Sequence, residues 1–129
     1  MIYLDSSVAL AQLLAEDRRP PDWLWGRQLV ASRLLQFEVW SRIHAYGRSQ
    51  ELASEVITFL NLILLIELET EVLARALDPL PGGPRTLDAL HLATACFVRD
   101  ADPEFRFASY ERRMLTCAGA LDLAVVSLD

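Results

Sequence analysis

The chain has 129 residues and a mass of 14.5 kDa, the size of one domain that buries about two-thirds of its unfolded surface. Hydrophobic residues make up 53% of it and the mean hydropathy is +0.23, so a thoroughly buried sheet or an apolar face for a partner is expected. The net charge of −6, from 18 acids against 12 bases, argues against broad electrostatic capture of nucleic acid. It leaves room for a nucleic-acid enzyme whose acids are offset locally by bound cations.

In chain order, "IYL" (2–4) reads as a short buried strand ending at Asp5, and "SSVALAQLLAED" follows with helical spacing. "RRPPDW" breaks the chain, and Pro21 opens a predicted helix over "PDWLWGRQ". "LVAS" (29–32) is the next strand, with Ser32 as the expected cap of the helix "RLLQFEVWSRIHAYG", which closes at Gly47. "SQELASEVITFLNL" is helical and a short strand lies near 64–67. A helix from a Thr70 cap ends at "PGGP", and a strongly apolar helix, "RTLDALHLATACFVRD", starts from a Thr86 cap. "FRFASY" (105–110) is a strand, "ERRMLTCAGALD" a helix, and "LAVVSL" a last strand.

Alternating strands and helices, with strands too apolar to have a wet face, imply an α/β fold: one domain, 1–129, with a mostly parallel sheet of four to five strands between helical layers. The apolar run "FLNLILLIEL" is interrupted by Asn61 and Glu67 and falls short of a membrane span. Neither a secretory leader nor metal-type cysteine spacing is read, and Cys96 and Cys117 are expected to be reduced core residues of a cytoplasmic protein.

In parallel sheets ligands collect beyond the carboxyl ends of the strands. Asp5 directly follows the first strand and Glu111 directly follows "FRFASY", so both are expected at one sheet edge, 106 positions apart in sequence. Each also starts a helix, where the macrodipole favours a negative charge, so either one alone is unremarkable chemistry. Asp88 is the one charge in "LDALHLATACFV" and shares a stripe with His91, Leu92 and Ala95. As a first-turn acid it can also touch free amides or pair with Arg85. Glu38, in "LLQFEVWSR", stands four residues before Arg42, the spacing of an ordinary surface pair. Several carboxylates converging at one edge are the ligands that a hard divalent ion such as Mg²⁺ or Mn²⁺ takes. Such an ion acidifies water and offsets charge on a phosphate. There is no Gly-rich phosphate loop with G-K-[ST], and nothing sets a base beside Ser6 or Ser7.

In this order and spacing, "MIYLDSSVAL", "RLLQFEVWSR", "RTLDALHLATA" and "FASYERRMLTCAGALDLAVVSL" resemble a PIN-domain protein of the VapC toxin type, over nearly the whole chain. The resemblance implies a three-layer α/β/α fold and a Mg²⁺- or Mn²⁺-dependent endoribonuclease that cuts single-stranded RNA to leave a 5′-phosphate and a 3′-hydroxyl. It further implies the toxin half of a toxin–antitoxin pair, held by a small VapB-like antitoxin, with homodimers common. By position, Asp5, Glu38 and Asp88 match the three principal acids and metal ligands. Ser7 matches a hydroxyl residue near the metal. Glu111 stands where the family most often has aspartate, in "SYE" rather than "T-Y-D", so its contact with metal is direct or through water, and Ser109 keeps the hydroxyl. His91 is assigned to packing or to support of the ligands. The same geometry that makes Asp5 a helix cap would aim it at the ion.

Arg27, Arg33, Arg42, Arg85, Arg112 and Arg113 are candidates for positioning the RNA backbone. An antitoxin groove is expected near residues 34–62, where "LLQFEVW" and "VITFLNL" carry more apolar surface than one core face needs. Two other functions compete. One is an inactive PIN-fold binding module in which Glu111 marks eroded chemistry. The other is a phosphoacceptor domain with Asp5 as nucleophile, opposed by the absence of a second aspartate two residues on and of any lysine.

Overall fold

The computed structural model describes residues 1–15 and 17–129. Four strands, β1 (Ile2–Leu4), β2 (Leu29–Ser32), β3 (Ile63–Ile66) and β4 (Arg106–Ala108), form one sheet in the order β3-β2-β1-β4, every pairing parallel. Tyr3 lies opposite Val30 on one side and Phe107 on the other, so β1 is enclosed by neighbours. The six α-helices among the described residues are α1 (Ser6–Leu14), α2 (Leu34–Ala45), α3 (Ser49–Leu60), α4 (Thr70–Ala76), α5 (Thr86–Ala101) and α6 (Arg112–Ala120). None is long and apolar enough to cross a membrane.

Strand alternation sorts the core into two halves. Ile2, Leu4 and Ala31 project to one face, against Val8 of α1, Leu35, Val39 and Ile43 of α2, and Val56 and Phe59 of α3. Tyr3, Val30 and Phe107 project to the other, against Leu92 and Ala95 of α5 and Met114 and Cys117 of α6. The result is three layers. Burying each large apolar side chain contributes roughly 1.5–3 kcal/mol, which is why the strands are apolar on both faces.

Several expectations are corrected. "PDWLWGRQ" forms only a five-residue 3₁₀ helix, Asp22–Gly26. "LAVVSL" does not form a fifth strand. It meets β4 in a single parallel bridge, Phe107 with Val125, held by Phe107 N–H to Ala124 O at 2.7 Å and Val126 N–H to Phe107 O at 3.0 Å. The capping positions of α2, α4 and α5 are Arg33, Glu69 and Arg85, not Ser32, Thr70 and Thr86. Ser32 still serves α2, since its Oγ accepts the Leu34 amide at 3.1 Å. The start of α5 is less packed than its composition suggests: Leu87 is 47% exposed, and continuous burial begins at His91.

Because every strand runs the same way, their carboxyl ends open at one edge. Asp5 follows β1 there and is tied to β4 by its amide, which donates to Ala108 O at 3.0 Å. Arg33 follows β2 and its amide donates to Ile66 O at 2.8 Å.

Candidate active site

At that edge an open cleft of about 1180 Å³ is lined by Asp5, Glu38, Asp88 and Glu111. Asp5 comes from the end of β1, Glu38 from α2, Asp88 from the first turn of α5 and Glu111 from the residue before α6. Four acids far apart in sequence thus face one space.

Asp5 is 3% exposed and occupies the N-cap position of α1, yet its side chain makes no capping bond. The capping role expected of it is therefore not filled. Instead Oδ2 accepts hydrogen bonds from Ser7 Oγ and Ser109 Oγ, each at 2.7 Å. Those hydroxyls are themselves fixed: Tyr110 N–H donates to Ser7 Oγ at 3.0 Å and Glu111 N–H to Ser109 Oγ at 2.9 Å. Ser7 and Ser109 thus set the rotamer of Asp5 from two separate elements.

Glu38 does not pair with Arg42. Its Oε1 accepts from Nε2 of buried His91, and its Oε2 has only a long contact, 3.5 Å, with Ser6 Oγ. Asp88 Oδ2 accepts the Arg85 amide at 3.2 Å and lies 3.6 Å from Arg113 Nη1, so its guanidinium neighbour is Arg113 rather than Arg85. A common arrangement results. Each of these three carboxylates is held through one oxygen, while the other receives no hydrogen bond, or only the long one from Ser6, from a described residue. Glu111 is exposed and no described residue bonds to its carboxylate.

The electrostatics show the acids acting on one another. Partial burial, then the negative charges of Asp5 and Asp88 and more weakly of Glu38, raise the Glu111 carboxyl above its ordinary range, against the opposing pull of Arg113. For His91, burial works to lower the pKa, but the bond to Glu38 and the charges of Glu38, Asp5 and Asp88 together outweigh it and the net shift is upward. Among the described residues no three His, Cys, Asp or Glu side chains are already drawn together as a metal-ligand group. Like charges with nothing between them stand apart, and Mg²⁺ keeps several waters and needs only one or two carboxylates directly. The donor set, carboxylate and hydroxyl oxygens without thiols, fits a hard hydrated cation.

Of the candidate arginines, Arg42, Arg85, Arg112 and Arg113 line the cleft. Arg33 is engaged by Glu67, with Nε to Oε1 at 2.9 Å. Arg27 lies over the Trp23 ring and lines a hollow with Met1, Gln28 and Arg106, near the amino ends of β1, β2 and β4. Arg18, which sequence reasoning missed, lines the cleft and donates from Nη1 to Tyr110 O at 2.5 Å. Tyr3 was missed as well. A tyrosine inside a wholly buried strand needs a partner for its hydroxyl, and that was the available signal.

Apolar surface is exposed at Phe37 (65%), Ile57, Leu62 and Leu64, in or beside the 34–62 segment. A separate apolar hollow of about 670 Å³ lies between α4 and the start of α5, lined by Leu73, Leu77, Leu80 and Leu90.

A three-layer parallel α/β domain with an acid-lined cleft beyond its strand ends describes a class of protein. Comparison with curated proteins narrows it. The chain is 32% identical over 132 aligned positions to Ribonuclease VapC35 of Mycobacterium tuberculosis, in strains CDC 1551 / Oshkosh and ATCC 25618 / H37Rv, covering 98% of this chain and 96% of the relative. No family model matches the sequence. The chain belongs to the VapC-type PIN-domain family.

Proposed function

We propose that the protein is an endoribonuclease that cleaves single-stranded RNA in the cytoplasm with the help of Mg²⁺ or Mn²⁺, as the toxin of a toxin–antitoxin pair. The observation that carries this reading is the one-oxygen tethering of Asp5, Glu38 and Asp88 in a single cleft, the second oxygen of each being open to another ligand or, in Glu38, touched only by Ser6 at 3.5 Å. Membership of a family whose matched relative is named a ribonuclease supports the same conclusion.

In this reading Asp5, Glu38 and Asp88 hold the ion, and Glu111 contributes through water from the rim. When bound, the cation supplies Lewis acidity, making water more acidic and offsetting negative charge at the phosphate. The protein's own part is placement. Ser7 and Ser109 keep Asp5 aimed, and burial of Asp5 preserves its field in a low-dielectric floor. Arg18, Arg42, Arg85, Arg112 and Arg113 stand around the acids and are suited to phosphates on either side of the scissile bond, fixing register without reading bases. A VapB-like antitoxin would cover the exposed apolar residues from Phe37 to Leu64, and a homodimer is the expected assembly.

Cleavage of an unstructured RNA tests the reading. The wild-type protein should cut with Mg²⁺ or Mn²⁺ and stop in EDTA, and folded Asp88→Asn protein should lose at least about a hundredfold, on the order expected when a charge-stabilising group is removed. Undiminished cutting by Asp88→Asn would refute the assignment. A folded wild-type protein that neither cuts RNA nor takes up a cation would be a binding module that retains the fold.

A further inference from the structure

Glu38 and Asp88 stand on helices from opposite layers, α2 on one face of the sheet and α5 on the other. Among the described residues one side-chain bond joins those two helices, from Nε2 of His91 to Oε1 of Glu38. His91 is 1% exposed, and its other nitrogen is also engaged: Nδ1 meets the Tyr3 hydroxyl at 2.8 Å. Tyr3 is in turn fixed. Its hydroxyl accepts the Ser32 amide at 3.2 Å, and its ring stacks on Phe107 with centroids 5.6 Å apart and planes within 9°. The imidazole and Tyr3 ring planes are nearly perpendicular, at 80°, with centroids 6.1 Å apart. Held at both nitrogens, the imidazole cannot turn without breaking a buried hydrogen bond, and a buried polar group left unpaired is costly.

We propose that His91, braced by Tyr3, is the positioning residue that sets both the aim of Glu38 and the gap between Glu38 and Asp88. The inference rests on the reading of the cleft as a cation-dependent nuclease site. His91 lies three residues after Asp88 on α5, one turn along the same side of the helix. Fixing His91 to Glu38 therefore fixes how far Asp88 stands across the cleft from α2. The bond also occupies Oε1 and leaves Oε2 as the oxygen that faces a ligand. A plain packing residue at this position would need neither nitrogen, and an aliphatic side chain of similar size would avoid burying polar atoms.

Two substitutions separate positioning from packing. His91→Leu keeps the bulk and removes the donor, whereas His91→Gln keeps an N–H near the reach of Nε2. Mn²⁺ affinity is read by calorimetry on the full chain, and the Glu38 side-chain carboxyl is read by ¹³C NMR without metal. His91→Leu should weaken Mn²⁺ binding by about 10–100-fold, the usual effect of losing a ligand's support, and His91→Gln should recover most of it. Tyr3→Phe, which conserves volume, should fall between them. The Glu38 resonance should move in His91→Leu and Tyr3→Phe and stay near the wild-type position in His91→Gln. In cleavage, kcat should fall while KM for RNA holds, because the arginines are untouched. A folded His91→Leu protein with wild-type Mn²⁺ affinity and an unmoved Glu38 resonance overturns the proposal; if that variant does not fold, Tyr3→Phe decides by the same two readings. Should the wild type take up no Mn²⁺, the nuclease reading fails by itself, and the Glu38 resonance still decides whether His91 positions it.

Discussion

Replacing Asp5 with asparagine separates the fold from the ion. Oδ2 of Asp5 accepts two hydroxyl bonds of 2.7 Å, from Ser7 and Ser109, in a site where the side chain is 3% exposed. An amide oxygen can accept both, but bonds to a neutral acceptor are worth about half those to an ionised one, a loss of roughly 1–2 kcal/mol for the two. Removing a buried charge that repels Glu111 offsets part of that loss. Without divalent cations Asp5→Asn should therefore unfold within about 1 kcal/mol of the wild type. With Mn²⁺ at about a hundred times its Kd, the wild type should gain about 2.7 kcal/mol by mass action and the variant almost nothing. In a chain this size that is a Tm difference on the order of 10 °C. Urea unfolding followed by fluorescence of the three tryptophans, with and without Mn²⁺, measures both free-energy differences. Asp5→Ala is the contrasting control: it takes the acceptor from buried Ser109 and half-buried Ser7, leaving their hydroxyls only a mutual contact of 3.3 Å, and should cost about 1–3 kcal/mol even without metal. Equal stabilisation of wild type and Asp5→Asn by Mn²⁺ would refute the reasoning.

Glu111→Gln should reduce RNA cleavage by less than about tenfold, well under the loss from Asp88→Asn, because Glu111 is exposed at the rim and untethered; an equal loss would make it a direct ligand. Gly82→Ala should destabilise by about 2–5 kcal/mol, since φ is +89° and the new Cβ would sit 2.6 Å from Cys117 Sγ. Cys117→Ala should relieve the clash with Sγ but neither the 3.2 Å approach to the residue 117 Cα nor the backbone part, and a Gly82→Ala protein within about 0.5 kcal/mol of wild type in urea would contradict this. Asp100 bonds Arg75 Nη2 at 2.9 Å, and this bond, with a weaker one from Arg99, holds its carboxyl below the usual range. A depressed folded pKa contributes above the unfolded value near 3.9 and is lost as pH falls through the folded one. Asp100→Asn should thus be slightly less stable than wild type at pH 6, by at most about 1 kcal/mol, and the gap in urea midpoints should close as the pH falls through the depressed folded value. A gap that widens with acidity would exclude this origin.

The buried strands were legible because "IYL" and "LVAS" are covered on both faces and so carry no polar alternation. "LAVVSL" has the same composition but lies at the sheet margin, touching β4 at one residue, with Val125 43% exposed; strand-like composition does not report how many neighbours a strand will find. The strand-end acids were legible too, since parallel strands deliver the residues that follow them to one edge. What each acid touches was not. The partner of Glu38 depends on which helix lies across the sheet end from α2, and His91 is 53 positions away. The Asp5 cap failed for a related reason: two hydroxyls compete for its oxygen, one of them from the far end of the chain.

That last contact has a bearing on synthesis. Ser109 reaches Asp5 across 104 residues, and β4 beside β1 is what brings it there. A nascent chain, or one truncated before this strand, has its first carboxylate held by Ser7 alone and lacks one wall of the cleft. The cleft is complete only in a nearly finished polypeptide, so incomplete translation products lack the arrangement that the proposed chemistry requires.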